Sequence, residues 1–305
     1  KNESGGQILP KMQEEHLQNA LRHWQKGSMI IKIAKKGGGS MKALITGATG
    51  GLGKAFAQEL AANGWQLYLC GQNEKKLRAL AEEMPKGTRF FQVDLSKREG
   101  CLALYEAVKE EDVDFVIHNA AIGCYGHFAE HTLAEEERLF ALDAQSVLLL
   151  TKCFLNDFVA RDRGWILNIS STAGFAPGPL MSGYYAAKSY VLRLTEGIHE
   201  ELRRADSHVT VSVFCPGPIE TEFTRRAGGQ RGLPGMDAQK AARQALRGLF
   251  QGKCVIYPGV TERLTRLAQR LLPDESLLRL NYQLQRTKGG KNSKDVKIHG
   301  KDRLR

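Results

Sequence analysis

Tyr184 and Lys188 stand four residues apart, and on a helix that spacing puts a phenol and an ammonium on one face. Such a pair can handle a proton. An ammonium beside a phenol favours the phenolate and lowers a pKa that is otherwise about 10, which brings the phenol within reach of acid and base work near neutral pH. Tyr185 has Ser189 as its own four-residue partner and cannot play this part. Thirteen positions before Tyr184 is Ser171, following the strand-like run Trp165 to Ser170, and a hydroxyl at a strand end can face a crevice. The pentapeptide alone says little, because polar pairs at this spacing decorate many solvated helix faces. The elements that would position it say more.

The run Met41 to Thr46 is apolar, breaks into a glycine turn and continues as the amphipathic Lys54 to Asn63: a strand, a turn and a helix start. Glycines there permit a tight turn and let backbone N–H groups approach a pyrophosphate, which the positive end of a helix favours. The glycines are Gly47, Gly51 and Gly53, a Thr-Gly-x-x-x-Gly-x-Gly pattern rather than G-x-G-x-x-G. With Ser171, Tyr184 and Lys188 in this order, the pattern resembles the short-chain dehydrogenase/reductase family. Asp94-Leu95 after the third strand, His118-Asn119-Ala120-Ala121 after the fourth and Pro216-Gly217-Pro218-Ile219-Glu220-Thr221 after the sixth extend the likeness, which covers roughly Met41 to Arg286. The segment near Thr261 to Leu272 resembles, less specifically, the branch acting on ketoacyl and other lipid-like carbonyls.

The resemblance implies an NAD(P)-dependent oxidoreductase that transfers hydride between the nicotinamide and a carbonyl or alcohol carbon. It implies Tyr184 as general acid/base, Lys188 as the group that holds the nicotinamide ribose and tunes Tyr184, and Ser171 as a hydrogen-bond donor to the substrate oxygen. It places Thr46, Gly47, Thr49, Gly51, Leu52 and Gly53 around the pyrophosphate, Gln72 near the adenosine ribose, Asp94 and Leu95 at the adenine, and Asn119 and Ala120 on the adenosine side. Tyr184, Lys188, Pro216, Gly217, Ile219 and Thr221 complete the nicotinamide end. For Asp94 a capping role at the next helix is equally open. Where an acid at the end of the second strand would bind a ribose diol, this chain has Cys70-Gly71-Gln72-Asn73, with Lys54, Lys75 and Lys76 nearby, so NADP is favoured and NAD is the alternative.

Asp143 departs from the family pattern, which has asparagine there to hold a water between the lysine and solvent. An aspartate keeps the acceptor and adds charge beside Lys188, so Asp143 joins the catalytic set, and it also supports a second reading: a catalytically weak NAD(P)-binding sensor or scaffold. His118 reads as a packed strand-end residue. Phe175 to Met181, Cys124 to Phe128 and the segment after Thr221 would form the substrate pocket, with Phe175, Leu180, Met181, Tyr125, Phe128 and Phe223 making it apolar.

Strand-like runs alternate with helical patterns from Met41 onward, which predicts an α/β fold: one domain built on a doubly wound parallel β-sheet, Rossmann-like, with helices on both faces. The predicted strands are Ala43 to Thr46, Gln66 to Cys70, Arg89 to Val93, Val113 to His118, Trp165 to Ser170, Val209 to Phe214 and Cys254 to Tyr257. Residues 41–287 form this dinucleotide-binding and catalytic domain. Residues 1–40 read as an N-terminal extension and linker ending in Gly-Gly-Gly-Ser, with a possible helix from Met12 to Gln25, and residues 288–305 as a basic, disordered tail. The chain of 305 residues is 42% hydrophobic and carries a formal charge of +11. The tail accounts for +5 and the first forty residues for +4, which leaves the domain near +2 and argues against nucleic acid as partner. No apolar run reaches the ~18 residues of a membrane span. Six scattered cysteines with no C-x-x-C predict a reducing, cytoplasmic setting. In Thr261 to Leu272, Leu264, Leu267 and Leu271 share a face that is expected to pack on the domain. The expected partners are a small apolar carbonyl or alcohol and, by resemblance, further copies of the chain in a dimer or tetramer.

Overall fold

Seven short apolar runs become strands because a sheet covered on both faces wants continuous apolar sequence rather than alternation. They are β1 (Lys42–Thr46), β2 (Gln66–Gly71), β3 (Arg89–Gln92), β4 (Phe115–His118), β5 (Gly164–Ile169), β6 (Val209–Phe214) and β7 (Val255–Ile256). The computed structural model describes residues 40–228 and 235–286. The expected extension up to Gly39, its helix, and the basic tail lie outside the described residues.

All pairings are parallel, in the order β3-β2-β1-β4-β5-β6-β7. The direction of winding reverses between β1 and β4, the place where an open α/β sheet leaves a crevice. Register keeps the carboxyl ends level there: Ile45 lies opposite Ile117, His118 opposite Asn168 and Ile169 opposite Phe214. The residues that follow, Gly47, Asn119, Ser171 and Pro216, therefore emerge on one edge. Six of the strands differ from expectation by one or two residues at an end, β6 agrees, and strands alternate with helices as expected.

On one face α1 (Gly51–Ala62) and α8 (Ala238–Phe250) bury Phe56, Leu60, Ala241, Ala245 and Phe250 against Trp65 and Phe115. On the other, α3 (Arg98–Val108) and α5 (Ser146–Ala160) bury Leu104, Phe154 and Phe158 against Tyr68 and Ile166. Each of these Leu, Ile and Phe side chains contributes about 1.5–3 kcal/mol on leaving water. The helix α2 (Glu74–Glu82) is capped by Asn73, whose side chain accepts from the Lys76 N–H at 2.9 Å. The helix α4 (Leu133–Phe140) opens on a capping box between Thr132 and Glu135. It runs through one π-helical turn, Ala141–Gln145, into α5. This continuous helix, Leu133–Ala160, is long and apolar enough by composition to cross a membrane, but half of its most apolar window is buried inside the fold, which marks a core helix covering the sheet.

The carboxyl-terminal elements are α6 (Ser182–Arg204), the short α7 (Phe223–Arg226), α9 (Val260–Leu271) and α10 (Asp274–Arg286). Here one expectation fails. Leu264, Leu267 and Leu271 of α9 point outward, 60%, 53% and 75% exposed. The opposite, polar face holds the helix down: the Arg266 guanidinium lies 4.4 Å from the centre of the Phe175 ring, and Glu262 packs against the Gly217 and Gly259 backbone. An arginine stem and a stacked guanidinium cover apolar surface as a leucine would.

Candidate active site

The turn after β1 is built by close backbone approach. Thr46 is buried, donates its hydroxyl hydrogen to Ile117 O at 3.3 Å, and accepts from the N–H groups of Asn119 and Ala120 at 3.0 and 3.1 Å. The Asn119 amide donates to Thr46 O and Gly47 O at 3.0 and 3.1 Å, so β1 and β4 are tied across the crevice. Gly47 holds a φ of +62°, where a Cβ is strained, and a Cβ on Gly53 would stand 2.3 Å from Gly47 O. A Cβ on Gly51 would stand 2.5 Å from the Thr221 methyl group. Gly50 begins α1 with no side-chain cap and no acid in the first turn, which leaves its N–H groups and positive end for an anion. This cradle fits a dinucleotide pyrophosphate.

Across the crevice, Ser171 follows β5 and opens a 3-10 turn, Thr172–Phe175. Its Oγ accepts from the Ala173 N–H at 3.2 Å and donates to Pro216 O at 3.3 Å. Tyr184 and Lys188 lie one turn apart on α6, with Lys188 Nζ 5.5 Å from the centre of the Tyr184 ring. Phe223 packs on that ring at 5.4 Å between centres. Lys188 is buried and donates to Ile169 O at 3.3 Å. Its Nζ also stands 3.2 Å from Asp143 Oδ2, an ion contact rather than an aligned hydrogen bond. The other oxygen of Asp143 accepts from the Ile122 N–H at 2.8 Å. Asp143 reaches this place from the π-helical turn, whose extra residue re-aims side chains.

The electrostatics differ from expectation in one respect. Burial pushes the Tyr184 hydroxyl above the ordinary phenol range, the Asp143 carboxylate adds to the shift, and the Ser171 hydroxyl partly offsets it. The Lys188 ammonium, 3.2 Å from Asp143 Oδ2, is not among the causes of the shift. Burial likewise raises the Asp143 carboxyl, against the pull of Lys188 and the Ile122 N–H. His118 is fully enclosed and pushed down to about 3 by burial, the state of a packed neutral ring.

One cavity of about 490 Å³ gathers most of the expected residues. Gly47, Thr49, Gly51, Leu52, Gly53, Gln72, Leu95, Asn119 and Ala120 line one end, and Ser171, Tyr184, Lys188, Pro216, Gly217, Ile219 and Thr221 the other. Thr46 and Asp143 act from behind the wall. Asp94 is not on it either: its carboxylate accepts from the Ser96 N–H and hydroxyl at 3.0 and 2.6 Å and from Gln72 at 2.7 Å, a local turn ahead of α3, whose N-cap is Lys97 with no side-chain cap bond. Of the apolar pocket residues, Met181, Tyr125 and Phe223 line the cavity. Phe175 and Leu180 are buried away from it, and Phe128 is 61% exposed. Phe175 is committed to the core, stacked near Tyr257 and under Arg266. Sequence reasoning missed Gln285, which is 2% exposed, lines the cavity and donates to the Tyr185 hydroxyl. Its signal was the polar interruption of a buried stripe: Leu277, Asn281 and Gln285 fall at successive turns of α10.

The short chain dehydrogenase family model matches residues 41–232, well over half the chain. The chain belongs to the short-chain dehydrogenase/reductase family. This dehydrogenase is 31% identical over 211 residues to bovine dehydrogenase/reductase SDR family member 11, covering 66% of the chain and 80% of the relative. It is 31% identical over 182 residues to the 7beta-hydroxysteroid dehydrogenase of Clostridium sardiniense, with 58% and 69% covered. A solved short-chain dehydrogenase from Sphingobium yanoikuyae in complex with NADPH superposes with a TM-score of 0.69 at 27% identity, covering 86% of this chain and 98% of the other. The enzyme is thus an NAD(P)-linked oxidoreductase by family.

Proposed function

We propose that this dehydrogenase is an NADP-preferring carbonyl reductase, acting in reverse as an alcohol dehydrogenase, on a bulky apolar ketone or secondary alcohol. The observation that carries the reading is the shared cavity: Ser171, Tyr184 and Lys188 open onto the same space as the glycine turn and the apolar Met181, Tyr125 and Phe223. The cofactor, when bound, supplies or takes the hydride. Ser171 Oγ donates to the substrate oxygen and orients it. Tyr184 gives that oxygen a proton in reduction and removes it in oxidation. Its raised hydroxyl stays protonated at neutral pH, which suits donation. Lys188, held by Ile169 and Asp143, keeps a donor for the cofactor ribose.

Three observations support NADP. The end of β2 carries no carboxylate, Lys76 and Asn73 line the cavity beside Gln72, and Arg138 donates to the Gln72 side-chain oxygen Oε1 at 3.3 Å, which adds positive charge there. The NADPH complex of the Sphingobium relative and the hydroxysteroid named for the Clostridium relative point the same way for cofactor and substrate. All six cysteines are unpaired, which supports a reducing, cytoplasmic setting.

The second reading, a weak cofactor-binding sensor, rests on the contact between Asp143 and Lys188. A panel of bulky and small ketones with NADPH and NADH, followed by loss of nicotinamide absorbance, separates the two. Turnover fastest with NADPH and bulky ketones is expected. Tight NADPH binding with no turnover on any carbonyl would favour the sensor.

A further inference from the structure

The segment between β4 and α4, with the first turns of α4, brings together three donors that hydride transfer does not use. Cys124, His131 and Glu136 each offer one ligand atom, and these atoms all lie within 4.8 Å of one another. His131 Nδ1 contacts Glu136 Oε1 at 2.6 Å, and the two side chains are only 11% and 16% exposed. Nδ1 and Glu136 Oε1 share one proton, and a cation bound between them takes its place, with the ring's remaining hydrogen on Nε2. Glycines leave the room: a Cβ on Gly126 would stand 3.1 Å from His131 Nε2, and one on Gly183 would stand 2.1 Å from Glu136 Oε2.

We propose that Cys124, His131 and Glu136 form a binding site for a divalent cation of the zinc class at the flank of the substrate pocket, with a fourth position left for water or a ligand. A thiolate and a carboxylate with a neutral imidazole cancel a double positive charge, so the occupied site carries no net charge into a half-buried place. Sulfur with nitrogen selects zinc-like ions over magnesium or calcium. Ligand bonds of about 2.0–2.3 Å put donor atoms roughly 3.3–3.7 Å apart, so donors near the 4.8 Å limit draw in by about 1 Å while Nδ1 and Oε1, 2.6 Å apart, open to let the ion between them. Gly123 and Gly126 flank Cys124 in the connecting loop, and Gly126 holds a φ of +147°. Gly123 and Tyr125 line the cavity, and Cys124 packs with Tyr184 against Leu139, Ala144 and Ala187. Occupancy therefore stiffens a wall of the substrate pocket.

The test is a titration of the full chain with Co2+, read by absorption, and then displacement by Zn2+. The expected result is one equivalent bound with a thiolate-to-cobalt charge-transfer band, lost on addition of Zn2+ and in Cys124→Ser, while Cys153→Ser and Cys254→Ser keep it. His131→Asn weakens binding by at least about tenfold. NADPH binding by fluorescence shows that each variant is folded, and should Cys124→Ser fail there, His131→Asn carries the test on the same band. Absence of the band in the unaltered protein, its survival in Cys124→Ser, or unchanged affinity in a folded His131→Asn overturns the site.

Discussion

Thr46 and Asn119 bond one another's backbone, and Gly47 and Gly53 stand where a single added carbon would collide with main chain. From Gly123 to His131, and again beyond Thr221, few backbone bonds cross the wall, Tyr125 N–H to Ala227 O at 2.8 Å and Gly126 N–H to Leu180 O at 3.0 Å, and side chains add to them: Tyr125 donates to Gln285 O at 2.8 Å, and Asn281 to Pro177 O at 2.7 Å. The first region has one workable geometry because backbone cannot be exchanged. The second can be redrawn by changing a few side chains, and its helix α9 even leaves its leucines outward. A family that shares a cofactor and varies its substrate needs that division, with the constant chemistry on strand ends and the variable chemistry on loops and added helices.

The sharpest break between the two walls is at Tyr184, which belongs to both. Tyr184→Phe keeps the ring against Phe223 and removes only the hydroxyl. Turnover is expected to fall by about 10²–10⁴, the range for loss of a general acid, with NADPH affinity changed by less than about threefold. Steady-state rates and a fluorescence titration measure the two. Retention of substantial activity would sink the proton-donor role.

Legibility in the sequence followed the same division. Gly47, Gly53 and Asn119 could be read because each is demanded by backbone approach at a strand end, and such demands leave a fixed spacing. Gln285 could not, since a polar residue on a helix more than a hundred positions after Tyr125 reaches the cavity only through tertiary packing. The same holds for α9. Its leucine stripe is the ordinary mark of a buried face, and the Arg266 stack on Phe175 that reverses it involves two residues far apart in the chain. Asp94 was legible only as a choice: its carboxylate closes a local turn with Ser96 and bonds Gln72, three residues before the α3 N-cap at Lys97.

A smaller change confined to the cofactor wall sharpens the contrast. Gly71 lines the cavity at the end of β2, and a Cβ there would meet Leu77 at 3.5 Å, an ordinary contact, so Gly71→Asp is sterically acceptable. The new carboxylate repels a 2′-phosphate and can accept from a ribose diol. NADPH affinity is expected to drop by about tenfold or more, ~1.4 kcal/mol, and NADH affinity to hold or rise, while KM for the ketone stays put. Parallel titrations with the two nucleotides check it. A ketone KM that moved as much as the cofactor affinity would mean the walls are not independent.

The least effect is expected at Asp143, behind both walls. Asp143→Asn keeps an oxygen for the Ile122 N–H and leaves Lys188 its bond to Ile169 O, so the lysine stays in place for the ribose. Turnover should remain within about tenfold, a barrier change of no more than ~1.4 kcal/mol. The pH profile has a definite sign. The Asp143 carboxylate raises the Tyr184 hydroxyl, so its removal lowers that hydroxyl's pKa. In alcohol oxidation Tyr184 must be deprotonated, and the rise of rate with pH moves to lower pH; in ketone reduction it must be protonated, and the alkaline fall moves the same way. Profiles of both directions for the two proteins, with one good substrate, measure the shift. An unmoved profile would show that Asp143 does not act on Tyr184 through charge. Turnover rising more than tenfold would show instead that the carboxylate withholds Lys188 in the natural protein, and would turn the reading from a working reductase to a restrained one.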